Sequence, residues 1–320
     1  VNGLLDKHHA QLLPTAMHPL MDPHKETRLW PHAHNEVYEA FNHAFDCRGH
    51  GWSNLQSTHL NLPFANDAEF GQLHAAIRLL LPILPALSAS SPIVEGKLSP
   101  HLDARLEFYR HNARRVPSVA GKVIPEGAYT RKDYEMNILA RIYQDMSPHD
   151  PEGVLQHEWA NARGAIARFE RSAIEIRTLD VQECPRADIS IAAAIVSVLK
   201  ALCSQRWVSL RDQQMWPVAP LAAIWRGGVT QAHDYVIDDE AYLRAFNFTA
   251  QKQCRTSELW QHLLETVWPA WREPMRIILS QGPLARRIVR AVGRDLSADH
   301  IRTVYRELGD CLRSNRMFAF

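Results

Sequence analysis

Apolar and polar residues alternate one by one in some segments and recur every three or four positions in others, and these two periods mark out the elements. In Arg171-Ser-Ala-Ile-Glu-Ile-Arg-Thr-Leu-Asp180, Ile174 and Ile176 alternate with Glu175 and Arg177. A strand here turns aliphatic side chains to a core and a carboxylate and a guanidinium to its other face. Residues 163–180 read as this strand, paired as a hairpin with its upstream half. Leu55 to Phe64 alternates in the same way, with Leu60 and Leu62 on one face and Ser57, His59 and Asn61 on the other. Leu12 to Met17 is expected to form a short strand ending at His18-Pro19.

Helical spacing covers Glu36–Phe45, Asp67–Leu87, Asp188–Leu202, Ser257–Trp271 and Ala298–Leu312. Pro82 and Pro85 should kink or end the second of these. Pro185 or Asp188 suits the start of the third, and Ser297 with Asp299 caps the last. Tyr129–Met146 is partly helical, Arg48–Gly51 a turn, and the chain after about residue 205 mainly helical. The strands are few, polar on one side and lack a β-α-β-α rhythm. The expected fold class is α+β: an antiparallel sheet with flanking helices, in one domain over residues 1–320.

Composition narrows the function classes. The chain has 320 residues, with Lys+Arg 36 against Asp+Glu 35 and a formal net charge of +1. That balance gives no reason to expect nucleic acid or a membrane surface as partner. The longest apolar run, Ile77 to Ala89, contains Arg78 and two prolines and is too short to span a bilayer. The five cysteines (Cys47, Cys184, Cys203, Cys254, Cys311) form no CxxC and read as reduced thiols of a cytosolic protein. Of 17 histidines, His8, His9, His18, His24, His32 and His34 crowd the first 34 positions. No cysteine or HExxH helix accompanies them, so they read as scattered solvent-facing side chains, and a histidine-based metallohydrolase finds no ligand cluster.

Three polar groups are candidates for one sheet face: His59 with Asn61, Arg105 with Arg110, and Glu175 with Arg177. A carboxylate, an imidazole and several guanidiniums suit a metal–nucleotide and an anionic substrate. GxSxG, GxGxxG and GxxxxGK[ST] are all absent, which removes α/β-hydrolase, Rossmann and P-loop chemistry. Each residue also has a plainer reading: a hydrogen-bonded strand histidine at His59, a solvated helix face at Arg110, Arg114 and Arg115, and an ordinary loop residue at Glu95.

The run Ala86-Leu-Ser-Ala-Ser-Ser-Pro-Ile-Val-Glu-Gly-Lys97 resembles the Leu-Ser-Ala-Asn-Ser-Pro-Phe-(x)-Glu-Gly signature of the type 2 glutamate–cysteine ligase (carboxylate–amine ligase) family. His59-Leu-Asn-Leu62 falls where that family carries His-Val-His-Val. Ala173–Asp180 is similar to its Val-Glu-(x)-Arg-(x)-(x)-Asp strand, and to a glutamine synthetase strand of the same pattern; Cys184-Pro185 and an apolar helix follow. The resemblance runs from about Leu12 to Leu312.

It implies a curved, glutamine synthetase-like antiparallel sheet that cradles ATP, Mg²⁺ (or Mn²⁺) and glutamate or a similar acid. An amide to an amine such as cysteine would form through a γ-glutamyl phosphate. By position, Glu175 and His59 would be metal ligands, and Arg177 would stabilise charge on the transferring phosphoryl group. Arg105 or Arg110 would contact substrate or phosphate, with Asn61 and Glu95 also at substrate- or phosphate-binding positions. Asn61 replaces the family's second histidine.

The family also carries a strand of closely spaced glutamates upstream, which is not found before Leu12. The resemblance thus implies a chain truncated at its amino end or completed by a second chain, with homo-oligomerisation open. The alternative to a ligase is a catalytically incomplete remnant of the fold that acts as a binding or interaction protein.

Overall fold

In the computed structural model, which describes residues 1–268 and 273–320, the alternating segments become strands. Strands β1 (Ser57–Pro63), β4 (Ala165–Arg168) and β5 (Ala173–Asp180) form an antiparallel sheet in the order β1-β5-β4. Between them in sequence lies a small ribbon, β2 (Ile93–Val94) and β3 (Lys97–Leu98). Its two-residue turn, Glu95-Gly96, has φ of 48° and 75°. Positive φ at both positions is what a tight hairpin turn requires, and Gly96 adopts it without steric cost.

The β1–β5 register holds a feature that positions the site. Asn61 stands opposite Glu175 and Leu60 opposite Ile176, but Thr58 stands opposite Leu179 and Ser57 opposite Asp180. Strand β5 therefore places Arg177 and Thr178 against the single residue His59, a β-bulge. Ser57, His59 and Asn61 share one face of β1, and cross-strand partners share a face. The bulge thus carries Asp180 onto the face of Glu175, where uninterrupted alternation would have sent it to the other side.

Behind the opposite face, Ile174 and Ile176 are buried with Ala165 and Ala167. They join helices α1 (Asn35–Phe45), α2 (Asp67–Leu80) and α4 (Pro185–Cys203), the last two packed on each other. Helix α3 (Ala104–Tyr109) begins at Asp103, whose side chain accepts from Leu106 N. Farther along are α5 (Val218–Gln231), α6 (Thr256–Val267), α7 (Glu273–Gln281), α8 (Leu284–Val292) and α9 (Ala298–Ser314). This bears out α+β with a largely helical carboxyl-terminal part. Helices α8 and α9 bury Leu284, Ile288, Ile301 and Leu308 in a second apolar cluster.

Several expectations need correction. Leu12–Met17 is not a strand. Pro14 has no N–H, and the segment's polar groups go elsewhere: Ala16 N donates to Ser90 Oγ and the Ala16 carbonyl accepts from Gln56 N. The helix expected to reach Leu87 stops at Leu80, where Leu81–Ile83 tightens into a 3₁₀ turn around Pro82 and a short helix restarts at Pro85. Within the expected Arg48–Gly51 turn, a single helical turn begins at His50 and runs to Ser53. Pro185, not Asp188, opens α4, with Cys184 at the cap. The helix expected over Ser257–Trp271 is α6, and residues 269–271 of that expectation lie outside the described residues. The cap at Ser297 holds, its side chain accepting from His300 N.

Candidate functional site

Strand β5 sets the site by placing Glu175 at the middle of the sheet's polar face, between Asn61 of β1 and Ile166 of β4. The Glu175 side chain is only 6% exposed, and basic groups surround its carboxylate. His59 Nδ1 and Arg177 Nε each lie 3.2 Å from Oε1, and Arg168 Nη1 lies 3.5 Å from Oε2. The hydrogen bond from His59, with Arg177 and Arg168 nearby, holds the carboxyl below its ordinary range against the opposing effect of burial.

Each basic group is fixed from a second side. Arg177 Nη1 donates to the Asn161 carbonyl at 2.9 Å. The other ring nitrogen of His59, Nε2, lies 3.0 Å from Ser57 Oγ. Arg168 is nearly buried and also pairs with Glu170. What the face presents to solvent is therefore imidazole and guanidinium, with side-chain exposures of 36% and 22% at His59 and Arg177. The carboxylate sits beneath them. Such a surface suits an anion: part of the Arg177 guanidinium reaches solvent, and the internal carboxylate orients it.

The structure brings His59, Glu175 and Arg177 together, with exposed Asn61 beside them on β1. The other expected residues lie outside this group. Arg105 is 1% exposed and bound through Nε to Asp180; it reaches the cluster only at the Arg177 carbonyl, 3.5 Å from Nη1. Arg110 makes two bonds to Glu107 of its own helix, at 2.6 and 2.7 Å. Glu95 sits in the ribbon turn with Oε1 3.1 Å from His50 Nε2, while Asn54 Nδ2 lies 3.0 Å from His50 Nδ1. Among the described residues neither Arg110 nor Glu95 shares a hydrogen bond or ion pair with the Glu175 group. Cys184 is buried, and burial pushes its thiol up, as an inert core cysteine requires.

Arg168 is a member of the cluster that sequence reading missed. The signal was present: in a hairpin with Ala173 opposite Arg168, residues 168, 173 and 175 share a face. Asp180 was missed for a different reason, because only the bulge moves it to this side.

The resemblance implied a divalent metal here, and the residues present do not fit one as they stand. Glu175 is enclosed by Arg168, Arg177 and His59, and both nitrogens of His59 face other protein groups. No group of three or more His, Cys, Asp or Glu side chains able to hold a metal occurs among the described residues. No helix among them is long and apolar enough to cross a membrane.

Comparison with known proteins accords with the strand motif. The model of the family described as glutamate-cysteine ligase family 2 matches residues 1–307. An uncharacterised protein of Archaeoglobus fulgidus is 41% identical over 191 residues, which cover 60% of this chain and 51% of that protein. The chain thus spans about half the length of the curated relative it matches. With a family match over nearly the whole chain, and the Glu175–Arg177 strand at the centre of its sheet, the protein belongs to glutamate-cysteine ligase family 2.

Proposed function

We propose that the polar face of β5 serves an ATP-dependent carboxylate–amine ligase of the glutamate–cysteine ligase kind. In the first step a carboxylate oxygen of the acid attacks the γ-phosphorus of ATP and ADP leaves, giving an acyl phosphate. In the second, the amine nitrogen attacks the acyl carbon, phosphate leaves, and the nitrogen loses a proton to form the amide. Glutamate or a close relative is the acid, and cysteine is the first amine to test.

The observation that carries this reading is the near-buried Glu175 holding Arg177 and His59 toward solvent on the strand that bears the family's motif. Phosphoryl transfer asks a protein mainly for positioning and for neutralisation of charge on the transferred group. Arg177 suits the second task, and Glu175 with the Asn161 carbonyl suits the first by fixing where the guanidinium points. His59, with its two ring nitrogens on Ser57 and Glu175, is suited to hold Glu175 in place rather than to coordinate a cation.

The test is phosphate release from ATP and Mg²⁺ with glutamate and a panel of amines that includes cysteine. Release should require both acid and amine, and Arg177→Ala should lower kcat by about 10²–10³. Wild-type protein that releases no phosphate with any amine would overturn the reading. Nucleotide binding without turnover is what a non-catalytic member of the fold would show. The specific observation in favour of that second reading is that no group of three or more His, Cys, Asp or Glu side chains able to hold a metal occurs among the described residues.

A further inference from the structure

Below the open cluster lies a sealed one that the proposed chemistry does not use. Asp180, 1% exposed, accepts at Oδ2 from Ser90 N at 2.8 Å, Ser91 Oγ at 3.1 Å and Ser90 Oγ at 3.4 Å, and at Oδ1 from Arg105 Nε. Ser91 Oγ also accepts from the Arg105 backbone N at 3.1 Å. Gln182 Nε2 bridges the carbonyls of Ser88 and Asp180 at 2.7 and 2.8 Å. The serine run, the start of α3 and the end of β5 are thereby fastened at one buried point. From there Arg105 Nη1 reaches the carbonyl of Arg177, the first residue of the bulge.

The bulge is braced on its other flank by a glycine. The Arg177 N–H donates to the Gly164 carbonyl at 2.9 Å, and a Cβ on Gly164 would come within 2.8 Å of Thr178 Cγ2. Thr178 is the second bulge residue, so the chain at 164 must approach closely, and only glycine leaves the room.

We infer that Arg105 is a positioning residue: locked to Asp180 and the Ser90–Ser91 run, it holds the bulge so that the Arg177 guanidinium is aimed beside Glu175, and it does not itself touch the substrate. The inference deepens the ligase reading and rests on it for the role of Arg177, but its structural core can be measured without turnover.

The experiment is a cycle on the full chain with Arg105→Lys, Arg177→Ala and the double variant. Lysine keeps the charge on Asp180 but lacks the second arm that reaches the Arg177 carbonyl. Arg105→Lys should lower kcat by about 10²-fold with little change in KM for ATP, because a small misplacement of an aimed group costs that order of rate. In the Arg177→Ala background the same change should cost nothing more, since the group being aimed is gone. Amide exchange over residues 176–180 should quicken in Arg105→Lys while helix α4 stays protected. Ser91→Ala, a milder loosening of Asp180, should move exchange and kcat in the same direction by less.

Losses that multiply in the double variant would overturn the inference, because Arg105 would then be acting on substrate directly. Unchanged exchange at 176–180 would overturn it as well. If the wild type shows no turnover at all, the ligase reading falls, and the exchange measurement alone decides whether Arg105 holds the bulge.

Discussion

Strand β5 carries two carboxylate–guanidinium pairings, and the molecule treats them differently. Glu175 meets Arg177 and Arg168 on a face from which Arg177 and His59 still reach solvent. Asp180 meets Arg105 where both side chains are 1% exposed or less, and Ser90 and Ser91 fill the remaining valences of the carboxylate. The chemistry of the partners is nearly the same, so burial and the donors closing around the Asp180 carboxylate separate the roles. A pair that keeps donors at the surface can exchange one partner for a ligand. A pair sealed from water cannot, because removing either member leaves an uncompensated charge in the interior. The first pair is the proposed site and the second a fastening.

The largest effect expected from this contrast is on stability. Asp180→Ala takes from the buried Arg105 guanidinium the carboxylate it binds, leaving Asp103 as the neighbouring counter-charge. It should cost about 3 kcal/mol, the low end for a broken buried pair, read as a fall in the urea midpoint at unchanged slope. Glu175→Ala should cost no more than about 1–2 kcal/mol while abolishing ligase turnover, since Arg177 still reaches solvent and the nearly buried Arg168 keeps Glu170 as its partner. Equal losses of stability from the two changes would erase the distinction between site and fastening.

How far this was legible beforehand differs between the two pairs. Glu175 and Arg177 could be read because they lie two residues apart on an alternating strand, and the face they share follows from the pleat. Asp180 and Arg105 are 75 positions apart. Their meeting depends on a one-residue bulge that no periodicity records. Arg110 and Arg105 look alike in sequence, five residues apart in one short helical stretch, yet α3 buries one and leaves the other bound to Glu107. Glu95 stood in a recognisable motif, but the motif's serines hold Asp180 while its glutamate sits in a hairpin turn. The main helices were readable from their apolar stripes. The failed strand at Leu12–Met17 shows the limit of short apolar runs, whose backbone groups can be satisfied by isolated bonds instead of a ladder.

A third buried group sharpens the lesson about partners. His74 is wholly buried, with neither ring nitrogen hydrogen-bonded to another group; it stacks on Phe70 with centroids 5.4 Å apart. Burial, with Arg78 nearby, pushes its pKa down to about 3. The folded chain therefore keeps this ring neutral at pH values where the unfolded chain, with a pKa near 6.5, takes up a proton. Its contribution is fully present above pH 6.5 and is lost as the pH falls toward 3. The loss approaches about 1.4 kcal/mol per unit, or about 2 kcal/mol by pH 5. Chemical denaturation at pH 7 and pH 5 should show this drop in the wild type, and His74→Leu should show most of it removed. A drop that persists in His74→Leu would assign the acid sensitivity elsewhere.

The smallest effect is expected where a sequence-predicted site residue lies outside the cluster. Arg110 is tied to Glu107 one turn away, with side chains 34% and 23% exposed, and shares no hydrogen bond or ion pair with the Glu175 group among the described residues. An exposed pair at that helical spacing is worth about 0.3–0.5 kcal/mol. Arg110→Ala should accordingly shift stability by no more than that and leave kcat and the KM for ATP within about twofold of wild type, whereas Arg177→Ala loses most of the rate. The sequence placed both arginines as candidates for one sheet face and the resemblance gave them related roles, so the contrast asks whether actual position on the polar face selects the working guanidinium. A tenfold or larger rise in KM for Arg110→Ala would mean that α3 turns toward the sheet when substrate binds, and the boundary of the site would have to be redrawn to include it.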